Sequence, residues 1–97
     1  MPTFVVLGNL TEKGIKGLKA GSKRTKEVED LIKSVGGKLL SFYYTFGKYD
    51  WIAIVEGPSL EAAMKGLFIF GLDGSSRTRT LVAMSAADVD KIVSELP

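Results

Sequence analysis

The sequence predicts an α+β domain in which strands and helices follow the order βαββαβ, with one more helix at the C-terminal end. Three observations carry that prediction. Runs with strand-like alternation and runs with helical spacing succeed one another in this order. A glycine-centred turn joins two aromatic-rich strands in the middle of the chain. No linker, repeat or low-complexity segment interrupts the 97 residues, so residues 1–97 make one domain.

Each element has a local reason. Thr3 to Asn9 is rich in β-formers and apolar on both alternations at Phe4, Val5, Val6 and Leu7, as a strand covered on both sides would be. Thr11 is placed to cap a short helix with Ile15 and Leu18 on one face. Ala20-Gly21-Ser22 breaks that pattern, and Ser22 is the expected cap of a second helix carrying Val28, Leu31, Ile32 and Val35 at core spacing. Gly36-Gly37 stops it, because glycine enters the left-handed region without a Cβ penalty.

Gly47-Lys48 reads as the centre of a two-residue type II′ hairpin, in which the first central residue needs a positive φ. That turn pairs Leu40 with Val55, Phe42 with Ala53 and Tyr44 with Trp51. Strand alternation then divides the hairpin into two surfaces. Leu40, Phe42, Tyr44, Phe46, Tyr49, Trp51, Ala53 and Val55 form an apolar surface expected beneath helices. Leu39, Ser41, Tyr43, Thr45, Asp50, Ile52, Ile54 and Glu56 form a half-polar one. After Pro58, a helix is expected from Ser59 to about Phe70, with Leu60, Ala63, Met64, Leu67 and Phe68 inward, and Gly71 and Gly74 ending it. Ser75 to Met84 alternates as a strand, and Ser85 caps a last helix with Val89, Ile92, Val93 and Leu96.

This order gives an antiparallel four-stranded sheet with the two main helices on one face. The other face stays open and carries Leu39, Tyr43, Ile52 and Ile54. An apolar patch of that kind marks an interface, so a homodimer or higher homo-oligomer is expected, with two sheets face to face and a lined cavity between them. Tyr43, Thr45 and Asp50 are its candidate polar lining.

Composition limits the chemistry. The chain contains neither cysteine nor histidine, which removes thiolate nucleophiles, imidazole bases, disulfides and the usual zinc and haem ligands. No metal or cofactor is implied. The N-terminus lacks a signal-peptide pattern and no apolar run reaches membrane-spanning length, so a cytoplasmic protein without a membrane partner is expected. The net charge is +2, and the basic residues gather at Lys13, Lys16, Lys19, Lys23, Arg24 and Lys26, a solvated helix face away from the hairpin.

Among the candidate site residues, Asp50 suits a ligand anchor or proton acceptor in a cavity, or else a carboxylate that fixes the hairpin. Tyr43 and Tyr49 suit donors to a bound polar group, or amphipathic packing at a subunit boundary. Arg77 and Arg79 share one strand face, where paired guanidinium groups suit a carboxylate or phosphate; the alternative is an edge strand guarded by charge. No phosphate loop is present. The segment Lys48 to Ile54 superficially matches an RNA-recognition strand, but Asp50 breaks the signature, and Tyr49 and Trp51 fall on the surface expected under helices. No nucleic-acid partner is expected.

The combination Gly8-Asn9-Leu10-Thr11 with Gly14-Ile15, Gly47-Lys48-Tyr49-Asp50 with Ala53-Ile54-Val55-Glu56, and Arg77-Thr78-Arg79-Thr80-Leu81 resembles the GYD domain family across essentially the whole chain. The resemblance implies a dimeric ferredoxin-like α/β barrel and supplies no activity. The hairpin alone is also similar to the effector-binding domain of leucine-responsive transcriptional regulators, which bind amino acids between subunits. The leading expectation is a small-molecule-binding dimer with its site between facing sheets. A cofactor-independent barrel enzyme of the monooxygenase or isomerase type, using Asp50 and Tyr43 for proton transfer, is one alternative. A structural or partner-binding module is the other.

Overall fold

The computed structural model describes all 97 residues. Its elements are β1 (Thr3–Leu10), α1 (Glu12–Lys16), a 3₁₀ turn (Leu18–Ala20), α2 (Gly21–Ser34), β2 (Lys38–Tyr44), β3 (Trp51–Glu56), α3 (Leu60–Asp73), β4 (Ser76–Ala83) and α4 (Ala86–Ser94). The four strands form one antiparallel sheet in the order β2-β3-β1-β4. This is the ferredoxin-like arrangement that the sequence predicts. Helices α2 and α3 lie over one face.

Thr11 and Ser85 cap as expected, and Ser59, expected as the first residue of its helix, is instead its cap. The Thr11, Ser59 and Ser85 hydroxyls accept from Gly14 N, Ala62 N and Asp88 N respectively, each satisfying an amide that the first helical turn leaves free. Gly74, at φ +77°, ends α3 in the left-handed conformation. Ser22 does not cap α2. The helix begins one residue earlier, because Gly21 at φ +41° turns the chain directly into it and leaves Ser22 inside the first turn.

The helix-facing side of the sheet carries a small core. Val6, Trp51 and Ala53 pack together, with Leu10, Leu39, Phe42, Val55, Leu67 and Phe70 against them. Trp51 is 5% exposed and its indole N–H donates to the buried Ser76 hydroxyl at 2.9 Å. Phe42 stacks on the indole at 5.5 Å between centroids, and Phe70 meets it edge-on at 5.9 Å.

Two parts of the hairpin differ from expectation. Pairing runs Phe42 with Ala53, Tyr43 with Ile52 and Tyr44 with Trp51 as predicted, but a bulge between Leu39 and Ser41 sets Leu39 opposite Val55. Leu39 therefore packs on the core while Leu40, the extra residue, stands exposed. The turn is also wider than two residues: the strands stop at Tyr44 and Trp51, and Thr45 N donates to Asp50 O at 2.8 Å across a loop that leaves Phe46 fully exposed. Gly47 does take the positive φ, at +95°.

Helix α3 is rotated from expectation. Ala62, Ala63, Gly66, Leu67 and Phe70 face the sheet side, and Leu60, Met64 and Phe68 point to solvent. Small residues on the inner face let α3 approach α2, where a Cβ on Gly66 would already touch Val35 Cγ2 at 3.4 Å. From Met84 onward, including all of α4, every residue is exposed.

Candidate functional site

Three surfaces compete for function, and sequence order explains how each is built. The first is the open sheet face. Strand alternation brings Val5 and Leu7 from β1, Ile52 and Ile54 from β3, Leu81 and Arg79 from β4 and Tyr43 from β2 to one side, with Tyr43, Ile52, Leu7 and Arg79 in one register row. Arg77 follows at the Asn9 end of the same face, and both guanidinium groups lie outside every ion pair of the chain. Tyr43, Arg77 and Arg79 are exposed. Thr45 lies just past β2 and its hydroxyl donates to Tyr49 O at 2.6 Å.

Asp50 is tied to the end of β1. Its Oδ2 accepts from Leu10 N at 2.7 Å, its own amide donates to Gly8 O at 2.8 Å, and the neighbouring Asn9 side chain donates to Lys48 O at 2.7 Å. Thr11 extends the same corner: its amide donates to Ser75 O and its hydroxyl to Gly74 O at 2.6 Å. Gly14 completes it, since a Cβ there would stand 2.0 Å from Ser75 O. The glycine, asparagine, threonine and aspartate positions that carry the family resemblance thus clamp β1, the hairpin loop and the α3–β4 turn together.

The second surface is the outer side of α3. Leu60, Met64, Phe68 and Leu72 recur every fourth residue and form one row along the helix, with Leu72 87% exposed.

The third is a cleft of about 340 Å³ between the sheet and the α2/α3 layer, lined by Phe4, Val6, Phe42, Trp51, Leu67 and Phe70 among others. At one end Arg24 of α2 hydrogen-bonds and ion-pairs with Asp73 of α3, and its guanidinium carbon sits 6.0 Å above the Phe70 ring. Lys13 donates to Asp73 O at 2.5 Å, and Glu27 lies 3.5 Å from Arg24. The hydrogen bond from Ser75, then the Arg24 guanidinium, hold the Asp73 carboxyl down at about 2. Sequence reading did not find this cluster, because Arg24 and Asp73 are 49 residues apart and each looks like an ordinary solvated charge.

The model of the GYD domain matches residues 4–93. The chain belongs to the GYD domain family. This GYD domain is 33% identical over 90 residues to the glutamine synthetase and cystathionine beta-lyase binding protein of Thermus thermophilus, covering 92% of this chain and 95% of that one. Among solved structures it resembles a Thermus thermophilus protein at 25% identity and TM-score 0.55, covering 89% of this chain and 96% of the other. A hypothetical protein from Pyrococcus horikoshii resembles it at 23% identity and TM-score 0.55, with 88% and 92% covered. These likenesses support the ferredoxin-like fold of the GYD domain. No helix is long and apolar enough to cross a membrane.

Proposed function

We propose that this GYD domain is a non-catalytic binding module that pairs with a second copy through its open sheet face and docks a folded protein partner on the outer side of α3. The observation that carries this reading is the row Leu60, Met64, Phe68 and Leu72, pointing to water from a helix whose other side already faces the sheet. Soluble helices keep one apolar stripe inward, and a second contiguous one marks an interface. A 33% identical relative is named for binding two enzymes, glutamine synthetase and cystathionine beta-lyase, which supports a folded enzyme as the class of partner. The open face supports the homodimer: Val5, Leu7, Ile52, Ile54 and Leu81 make an apolar field suited to a second sheet about 10 Å away.

The test uses the purified chain with purified glutamine synthetase and cystathionine beta-lyase from the same source. Phe68→Glu combined with Leu72→Glu is expected to weaken binding at least tenfold while light scattering still reports a dimer. Ile52→Asp is expected to dissociate the dimer. Unchanged enzyme binding by the α3 variant would reject that docking side, and a monomeric mass for the unaltered chain would reject the sheet pairing.

A second reading is favoured by the unpaired Arg77 and Arg79. Sheet pairing would bring Tyr43, Thr45, Asp50 and these guanidinium groups around a gap suited to a small carboxylate. In the enzymatic version, Asp50 and Tyr43 move a proton without a cofactor. Thermal-shift titration with amino acids and organic acids tests it, and Arg79→Gln is expected to abolish any stabilisation found.

A further inference from the structure

Neither of those surfaces uses the cleft between the sheet and the helices. Its volume of about 340 Å³ falls within the roughly 300–1,000 Å³ range of small-molecule sites, and its walls are mainly aliphatic and aromatic. At ~30 Å³ for each water-sized group it has room for about a dozen. Its buried polar side-chain atoms all have hydrogen-bond partners. The Trp51 indole donates to Ser76, and at the mouth Lys13 and Arg24 are balanced by Asp73 and Glu27. Glu56, the one carboxylate at its edge outside these pairs, alternates with Val55 and so stands towards the open face, which leaves a charged ligand no free opposite charge within the cleft and a lost hydration shell on entry.

The geometry points to a binding site in this cleft for one uncharged apolar small molecule, a chain-like or fused-ring body lying against the Phe42–Trp51 stack. The Arg24–Asp73 ion pair ties α2 to α3 across one end of the cleft, so it sets how readily that end opens.

Trp51 is the chain's single tryptophan and lines the cleft, which makes it a reporter. The probe is N-phenyl-1-naphthylamine, which is neutral, titrated into the full chain while energy transfer from Trp51 is followed. Saturable transfer at one probe per chain is expected. 1-Decanol should displace the probe at least tenfold better than decanoate. Ala63→Phe, which fills the cleft from α3, should abolish binding, whereas Lys65→Gln at an exposed position of α3 outside the cleft should leave it unchanged. No saturable transfer, equal displacement by decanol and decanoate, or loss of binding with Lys65→Gln would overturn the proposal. So would a folded Ala63→Phe chain that still binds. If Ala63→Phe does not fold, the melting temperature of the unaltered chain decides: a rise with decanol and none with decanoate supports the site, and no rise overturns it.

Discussion

Gly8 and Trp51 face each other across the β1–β3 ladder, and a Cβ on Gly8 would stand 2.0 Å from Trp51 Cε2. The absent side chain is what lets the indole lie flat over β1 and reach Ser76. Gly8→Ala is therefore expected to push the indole off the strand, costing about 3 kcal/mol by overpacking and by loss of the Ser76 bond. Denaturant unfolding gives the stability, and a red shift of Trp51 emission reports the displacement. Gly8→Ala combined with Trp51→Phe should recover part of the loss. A single variant as stable as the parent would mean that the indole does not lie over Gly8.

Asp50 has one oxygen on the Leu10 amide, so its replacement reads out architecture directly. Asp50→Ala removes a charge-assisted acceptor and leaves a half-buried amide unsatisfied, with an expected loss of about 2 kcal/mol. Asp50→Asn keeps an acceptor and should lose about half as much. Denaturation midpoints of the two variants measure this. Unchanged stability in both, together with loss of a ligand found in the thermal-shift titration, would assign Asp50 to the cavity between sheets instead.

Element order, the Thr11 and Ser85 caps and the side to which Trp51 points were legible because each follows from residues close in sequence. The Leu39–Leu40 exchange was not, since a bulge adds one residue to a strand whose period-two pattern looks unbroken. The orientation of α3 was hidden for a different reason. Leu60, Met64, Phe68 and Leu72 compete with Leu67 and Phe70 for the inner face, and a helix apolar nearly all round has no preferred side until its neighbours are known. For the candidate sites, alternation placed Tyr43 on the open face and Arg77 with Arg79 on one strand face; that the two faces are the same follows only from the β1–β4 register. The cleft is made by packing distant elements, and no spacing in the chain signals it.

The Asp73 carboxyl sits at about 2 in the folded chain against an ordinary value of 3.8, so its contribution is fully present above pH 4. It is lost as pH falls from about 4 towards 2, where the unfolded chain takes up the proton first. With its side chain one-third exposed, solvent screening leaves about 1 kcal/mol. Comparing stability at pH 5 and pH 2.5 for the unaltered chain and Asp73→Asn checks the sign. The difference between them should shrink by most of that amount at the lower pH, and a constant difference would rule out the ionised carboxyl, held by Ser75 and Arg24, as its source.

The bulge in β2 makes two adjacent leucines unequal. Leu39 packs beside Val6, Trp51 and Ala53, whereas Leu40 stands exposed. Truncating a core leucine removes its transfer free energy and leaves a cavity, so Leu39→Ala is expected to cost about 2 to 3 kcal/mol. Leu40→Ala removes a side chain that water already reaches and should cost about 0.5 kcal/mol or less. A regular hairpin continuing the Phe42–Ala53 register would pair Leu40 with Val55 and reverse the ranking. Urea midpoints for the two variants decide between the registers, since both exchange the same atoms and differ only in which leucine faces the helices.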